Sequence, residues 1–205
     1  MIQRVVFSLL SLLLLSLAAQ AGTVNGKIEW TKTSGGKTSQ TQDKIVIWLE
    51  GGPELQPPAN SLVIEQKELR FIPDFLVAVK GQKVELPNQD DVAHNVYSYS
   101  ENSKFNFGLY PRGESRTAVF DKIGIVDMFC SVHRYMHARI FVVPTPYFAV
   151  ARPNGTFSIP NIPAGTYTIK AWNDRARMFS KSIVVPKTGA LTSDIMLDVP
   201  ESASK

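Results

Sequence analysis

The stretch Gly124-Ile125-Val126-Asp127-Met128-Phe129-Cys130-Ser131-Val132-His133-Arg134-Tyr135-Met136-His137-Ala138-Arg139-Ile140-Phe141-Val142-Val143 decides how the chain is read. Gly124 to Phe129 and Ala138 to Val143 are short apolar runs of strand length. Between them lies a loop that places a thiol, an imidazole and a thioether at three-residue steps, on Cys130, His133 and Met136. Such a loop can fold three soft or borderline donors around one point. Cys130 is the only cysteine in the sequence, so no internal disulfide is available to it. In an oxidising compartment an idle exposed thiol is a liability, so the residue is either a buried packing group or a chemical one. The chain has only three histidines, and His94 precedes Cys130 at the start of another apolar run, Asn95 to Tyr99. Two imidazoles and one thiolate in a plane, with a weak axial thioether, form the type 1 (blue) copper arrangement.

Working outward, the same strand-and-turn texture continues in both directions, and helix signals are poor throughout. Before the loop come Leu62 to Glu65, Leu76 to Val79, Lys83 to Leu86 and Ser115 to Phe120. After Pro144 and Pro146 come Tyr147 to Ala151, Gly155 to Ile159, Gly165 to Trp172, Ser180 to Val185 and Thr192 to Val199. Two earlier runs, Val24 to Trp30 and Ile45 to Leu49, are cut off from the rest by Gly51-Gly52-Pro53 and Pro57-Pro58. The expectation is an all-β protein.

The middle of the chain resembles the cupredoxins, most closely the amicyanin and plastocyanin branch. Lys80-Gly81-Gln82-Lys83-Val84-Glu85-Leu86-Pro87-Asn88, then His94-Asn95-Val96, then Phe105 to Gly108, Gly113-Glu114-Ser115 and Phe120-Asp121-Lys122-Ile123-Gly124 follow the family's order up to Cys130. The Cys-x-x-His-x-x-Met loop is similar to the short form found in amicyanin. The resemblance spans Leu62 to Val143 and extends to proteins associated with methylamine utilisation. It implies a Greek-key sandwich holding one type 1 copper ion through His94, Cys130, His133 and Met136. It also implies that Asn95 ties the two ligand loops together by side-chain hydrogen bonds. In the family, the loop histidine shows an edge to solvent inside an apolar patch where a redox partner docks, a cytochrome c or a dehydrogenase-like protein. Arg134, Tyr135 and Arg139 would rim that patch. His137 is expected to face solvent at the start of the last strand, with competition against Met136 for the metal left open. Asn88 and Asp90 read as turn residues without chemistry.

The flanking segments resemble a second module. Arg152-Pro153-Asn154-Gly155-Thr156-Phe157-Ser158-Ile159 and Ile162-Pro163-Ala164-Gly165-Thr166-Tyr167-Thr168-Ile169 look like the carboxypeptidase regulatory-like, or transthyretin-like, β-sandwich. Its opening strands would be Gly22 to Ile28 and Ile45 to Leu49. The copper domain would then be inserted into a loop of this second sandwich, which is feasible because domain ends often lie close together at the surface. The boundaries read as 22–57 for the opening strands, 58–145 for the copper domain, 146–200 for the remainder and 201–205 for a tail. The alternative is that residues 22–50 add strands to the middle domain.

Residues 1–21 read as an export signal: Arg4, an apolar run from Val5 to Leu17, then Ala19-Gln20-Ala21 with cleavage expected after Ala21. That apolar run is short against the roughly 20 residues a membrane span needs. The expectation is a soluble periplasmic protein without stable membrane insertion. A net charge of +4 spread along the chain gives no reason to invoke nucleic acid. A metal saturated by four protein ligands has no open position for substrate, so the reading is a carrier of single electrons and not an enzyme. Three readings compete with it, of which a structural β-sandwich module with a vestigial site is disfavoured because all four ligand types are present. The second is a copper carrier or sensor, since thiolate and thioether also suit Cu(I). The third, a Cys130–His133 nucleophile, leaves His94 and Met136 without a role.

Overall fold

In a computed structural model, residues 21–31, 44–53 and 55–198 are described; the expected signal segment up to Gln20 and the tail 201–205 lie outside them. Among the described residues every regular element is a strand, and no helix is long and apolar enough to cross a membrane. The expectation of an all-β protein is met.

Ten strands follow one another in the middle of the chain: β3 (Leu62–Val63), β4 (Glu65–Lys67), β5 (Arg70–Ile72), β6 (Phe75–Val79), β7 (Lys83–Pro87), β8 (His94–Ser100), β9 (Ser103–Tyr110), β10 (Ser115–Val119), β11 (Gly124–Phe129) and β12 (His137–Val143). They make a five-stranded sheet, β6-β12-β11-β8-β9, and a three-stranded sheet, β10-β7-β3, with β4 and β5 as a separate hairpin. Alternation decides which side chains meet between the two sheets. Val84, Leu86 and Ala118 of the smaller sheet share one buried cluster with Ala78, Val96, Val126, Met128, Ala138, Ile140 and Val142 of the larger. Cys130, Met136 and Tyr110 belong to the same cluster, so the candidate ligands grow out of the end of this core.

The strands on either side of this block pair with each other. β1 (Ala21–Thr31) lies between β14 (Thr156–Pro163) and the pair β17 (Ala190–Thr192) and β18 (Ile195–Asp198); β2 (Val46–Glu50) lies between β13 (Phe148–Val150) and β15 (Gly165–Trp172), and β15 continues to β16 (Phe179–Val185). Among the described pairings, β1 and β2 meet only strands that follow Val143. The turn between β13 and β14 is closed where Gly155 adopts φ 81°, a left-handed conformation that suits glycine. Arg152 N–H donates to the Thr156 carbonyl across it at 2.9 Å.

Strands β2 and β12 are buried on both faces, which is why they read as near-continuous apolar runs. Ile47 and Leu49 face the flanking core, while Val46 and Trp48 face the other way and meet Val77, Val79, Phe141 and Val143. The four sheets therefore stack, with the middle block and the flanking sandwich sharing this apolar layer.

Two elements were not legible as strands. β9 carries Asn106 and Gly108, residue types depleted in strands, yet it alternates in burial and pairs with β8 from His94↔Tyr110 to Ser100↔Ser103. The β4–β5 hairpin turns through Glu68 and Leu69 at φ 54° and 58°. Neither residue type favours that region, so the sequence offers no turn signal there.

Candidate metal centre

His94 opens β8 and is wholly buried. The loop ahead of it is shaped by Asn88, whose Nδ2 donates to the carbonyls of Val92 at 2.9 Å and Tyr110 at 3.0 Å while its Oδ1 accepts the Asp90 N–H at 2.9 Å. Cys130 follows β11 directly and is also buried. Its loop is pinned shut from within: Met136 N–H donates to the His133 carbonyl at 2.9 Å, and Cys130 N–H donates to the Met136 carbonyl at 3.3 Å. That closure leaves Ser131, Val132, Arg134 and Tyr135 exposed, His133 half-buried and Met136 inside.

Three donor atoms converge between these loops. His94 Nδ1 and His133 Nδ1 are 3.1 Å apart, and Cys130 Sγ lies 3.8 Å from the first and 3.9 Å from the second. The point equidistant from all three is about 2.1 Å from each, close to the distances at which first-row cations take imidazole nitrogen and thiolate sulfur. Two ring nitrogens facing each other this closely call for a cation or a proton between them. With one sulfur and two nitrogens, the donor set suits copper or zinc and is poorly suited to magnesium or calcium. His94, Cys130 and His133 form a metal-capable group in which all ligand atoms lie within 4.8 Å of one another. Met136 sits in the same buried cluster as Cys130.

The floor of the site is hydrogen-bonded. Tyr110 lies beneath it, donating its hydroxyl to the Leu86 carbonyl at 2.8 Å and accepting from Gln66 Nε2 at 2.5 Å. Burial above all, with a contribution from the negative charge available to Cys130, pushes the Tyr110 hydroxyl up to about 12 despite the opposing effects of Gln66 and Arg116. The rim is apolar: Val132 beside His133, Val92 ahead of His94, and Leu109, which pairs with Asn95, are all exposed.

Other predicted site residues fall elsewhere. Asn95 Nδ2 donates to Asn106 Oδ1 on β9 at 2.7 Å, and its Oδ1 is buried without a partner. It therefore ties β8 to β9 and not the two ligand loops together, because β9 occupies the side of β8 to which the amide points. Arg134 and Tyr135 are exposed, with the Tyr135 ring centroid 6.1 Å from that of His133. Arg139 is no free rim cation. Its Nε donates to Asp127 Oδ1 at 2.9 Å, and its Nη1 reaches both oxygens of Asp174, at 2.8 and 2.7 Å, in the segment after β15. Its charge is neutralised in a link between the middle block and the flanking sandwich. His137 is exposed, stacks on Phe129 and has Nε2 2.8 Å from Asp127 Oδ1, outside the metal-capable group.

Asp90 is the functional contact the sequence did not reveal. Its Oδ2 lies 2.8 Å from His94 Nε2, while Oδ1 accepts the Glu68 N–H at 2.7 Å and Oδ2 the Leu69 N–H at 2.9 Å. Burial works against its ionisation, but the bonds from Leu69, His94 and Glu68 outweigh it and hold Asp90 below the ordinary carboxylate value of 3.8. A carboxylate in an irregular loop carries no periodicity that could have announced this contact.

No protein-family model and no curated protein matches the chain. Among solved structures, it is similar to the Cu(I) form of an amicyanin variant at 16% identity, over 40% of this chain and 82% of that one, with a TM-score of 0.39. A second amicyanin variant in its Cu(I) form aligns at 17% identity over 47% of this chain and 99% of that one, TM-score 0.39. A copper-containing nitrite reductase from Thermus scotoductus aligns at 24% identity over 44% of this chain and 26% of that one, TM-score 0.40. At these scores the geometry of the site carries the functional argument by itself.

Proposed function

We propose that this chain is an exported, periplasmic carrier of single electrons that holds one type 1 copper ion through His94, Cys130 and His133, with Met136 as a weak axial ligand. The observation that carries the reading is the triangle of two Nδ1 atoms and one Sγ, built at the end of an apolar core. When bound there, copper supplies one-electron exchange between Cu(I) and Cu(II). The chain's own residues do the rest. The pinned loop and the rigid start of β8 hold the donors in place, so that little ligand movement accompanies a change of metal charge. With His137 turned toward Asp127 and only three histidines in the sequence, imidazoles for a second, substrate-binding copper are lacking. This favours a carrier over an enzyme.

The half-buried edge of His133, with exposed Val132 and Tyr135 beside it on the loop, is the surface through which a redox partner would approach. Arg134 is its cation, so the partner's docking face would be acidic, with encounter slowed by salt. The flanking sandwich, of the regulatory-like type, would support the copper domain through the shared apolar layer.

Loading the purified protein with Cu(II) should give an intense visible thiolate-to-copper band and a reversible one-electron couple. Cys130→Ser should abolish the band and leave a folded β protein, because Cys130 is one small member of a core built mainly from strand residues. A Cys130→Ser protein that keeps the band would refute the site. Tight Cu(I) binding by the wild type with no band and no reversible couple would favour the copper carrier or sensor.

A further inference from the structure

We infer that Asp90 is a positioning residue for the metal: its carboxylate, held by the tip of the β4–β5 hairpin, fixes the ring and the tautomer of His94 and biases the centre toward the more highly charged metal. This rests on the copper reading for its redox consequence, while the tautomer claim stands on hydrogen bonding alone.

Donor and acceptor accounting comes first. An ionised carboxylate only accepts, and three groups point at Asp90: the N–H of Glu68, the N–H of Leu69 and the ring nitrogen Nε2 of His94. Nε2 must therefore carry the proton. Nδ1 is left as a lone pair aimed at His133 Nδ1 and Cys130 Sγ, the orientation a metal ligand needs. The His94 ring is wholly buried and Asp90 is 14% exposed, so solvent offers little competition for this bond.

The hairpin explains why the carboxylate stays where it is. Consecutive non-glycine residues at φ 54° and 58° form a strained turn, and in that conformation their two N–H groups point the same way, one onto each Asp90 oxygen. β4 is in turn anchored to the site's floor, since Gln66 bonds Tyr110 and Leu86, and the Gln89 N–H donates to the Gln66 carbonyl at 2.8 Å. The hairpin, the loop before β8 and the first ligand form one hydrogen-bonded unit.

A carboxylate behind a ligand imidazole raises its basicity, and losing such a partner costs about 10- to 100-fold in metal affinity. The stronger donor favours Cu(II) over Cu(I), because the higher charge gains more from it. Asp90→Asn should therefore keep the visible band but weaken Cu(II) binding by about 10-fold or more with a smaller loss for Cu(I). Each tenfold change in that ratio raises the reduction potential by about 59 mV. Nitrogen-15 NMR of the wild-type protein without metal, at alkaline pH where imidazole is neutral, should show His94 protonated at Nε2.

An Asp90→Asn protein with wild-type affinity and potential overturns the inference, as does a His94 protonated at Nδ1. The NMR result decides even where Asp90→Asn does not fold. A wild type that binds copper without the band would instead sink the electron-carrier reading, and a tenfold loss of affinity in Asp90→Asn would still support the clamp.

Discussion

Truncating Phe141 to alanine tests whether the two sandwiches are energetically one body. Phe141 is 4% exposed and lies between Trp48, at 5.3 Å between ring centroids, and Trp172, at 4.8 Å. Trp48 is on β2 and Trp172 ends β15, both in the flanking sandwich, whereas Phe141 is on β12, which leaves the ligand loop directly after Met136. Removing a buried phenylalanine costs about 3 to 5 kcal/mol, and the loss of two ring contacts places this site at the upper end of that range. For a chain of this size that is about 6 to 20 °C in the unfolding midpoint. Ile140 and Val142 point into the other core, so the copper spectrum should not change. Denaturant unfolding followed by tryptophan fluorescence is the direct assay, because Trp48 and Trp172 border the space the ring vacates. The expected signature is a red-shifted folded spectrum and a separation of the tryptophan transition from that of the copper band. A loss below about 1 kcal/mol, with both probes still coincident, would refute the shared apolar layer as a structural coupling.

Two further outcomes follow from particular side chains. Met136→Leu should retain copper, since an axial thioether holds metal weakly, and should raise the reduction potential by one or two tenfold steps of about 59 mV; redox titration checks this, and copper loss without a measurable shift would show that Met136 is a primary ligand or a packing residue. Glu50 accepts from Trp48 Nε1 at 3.0 Å and pairs with Lys170 at 2.8 Å. Burial opposes its ionisation, but the Lys170 and Trp48 bonds outweigh it and hold the carboxyl below the ordinary 4.5. A depressed folded value means the contribution is complete above about pH 4.5 and is lost as pH falls through the folded value. Glu50→Gln should thus be less stable than the wild type near neutrality, by about 1 kcal/mol or less for a partly exposed pair. In thermal melts against pH the gap should close below pH 4.5; a gap that widens on acidification would contradict the assignment.

The sequence by itself determined the strand class, the order of the apolar runs and the donor set, because these depend on local chemistry. Period-two burial, Asn-Gly and proline punctuation, and a thiol, imidazole and thioether at short spacing are all written within a few residues. Arg139 and Asn95 show where that reading ends. The resemblance puts Arg139 on the docking rim if its side chain points outward, but its partners Asp127 and Asp174 come from another strand and another sheet. Asn95 was assigned to the ligand loops by resemblance, but β9, which local signals did not announce, took its hydrogen bond. The Glu68–Leu69 turn and the Asp90 contact were likewise invisible, since a left-handed turn without glycine is stabilised only by what it holds. Only the tertiary structure decided which strands pair with β1 and β2, which face of β12 meets Trp48, and which carboxylate stands behind His94. These depend on pairings between residues far apart in the chain, and their energy exists only once the sheets have stacked.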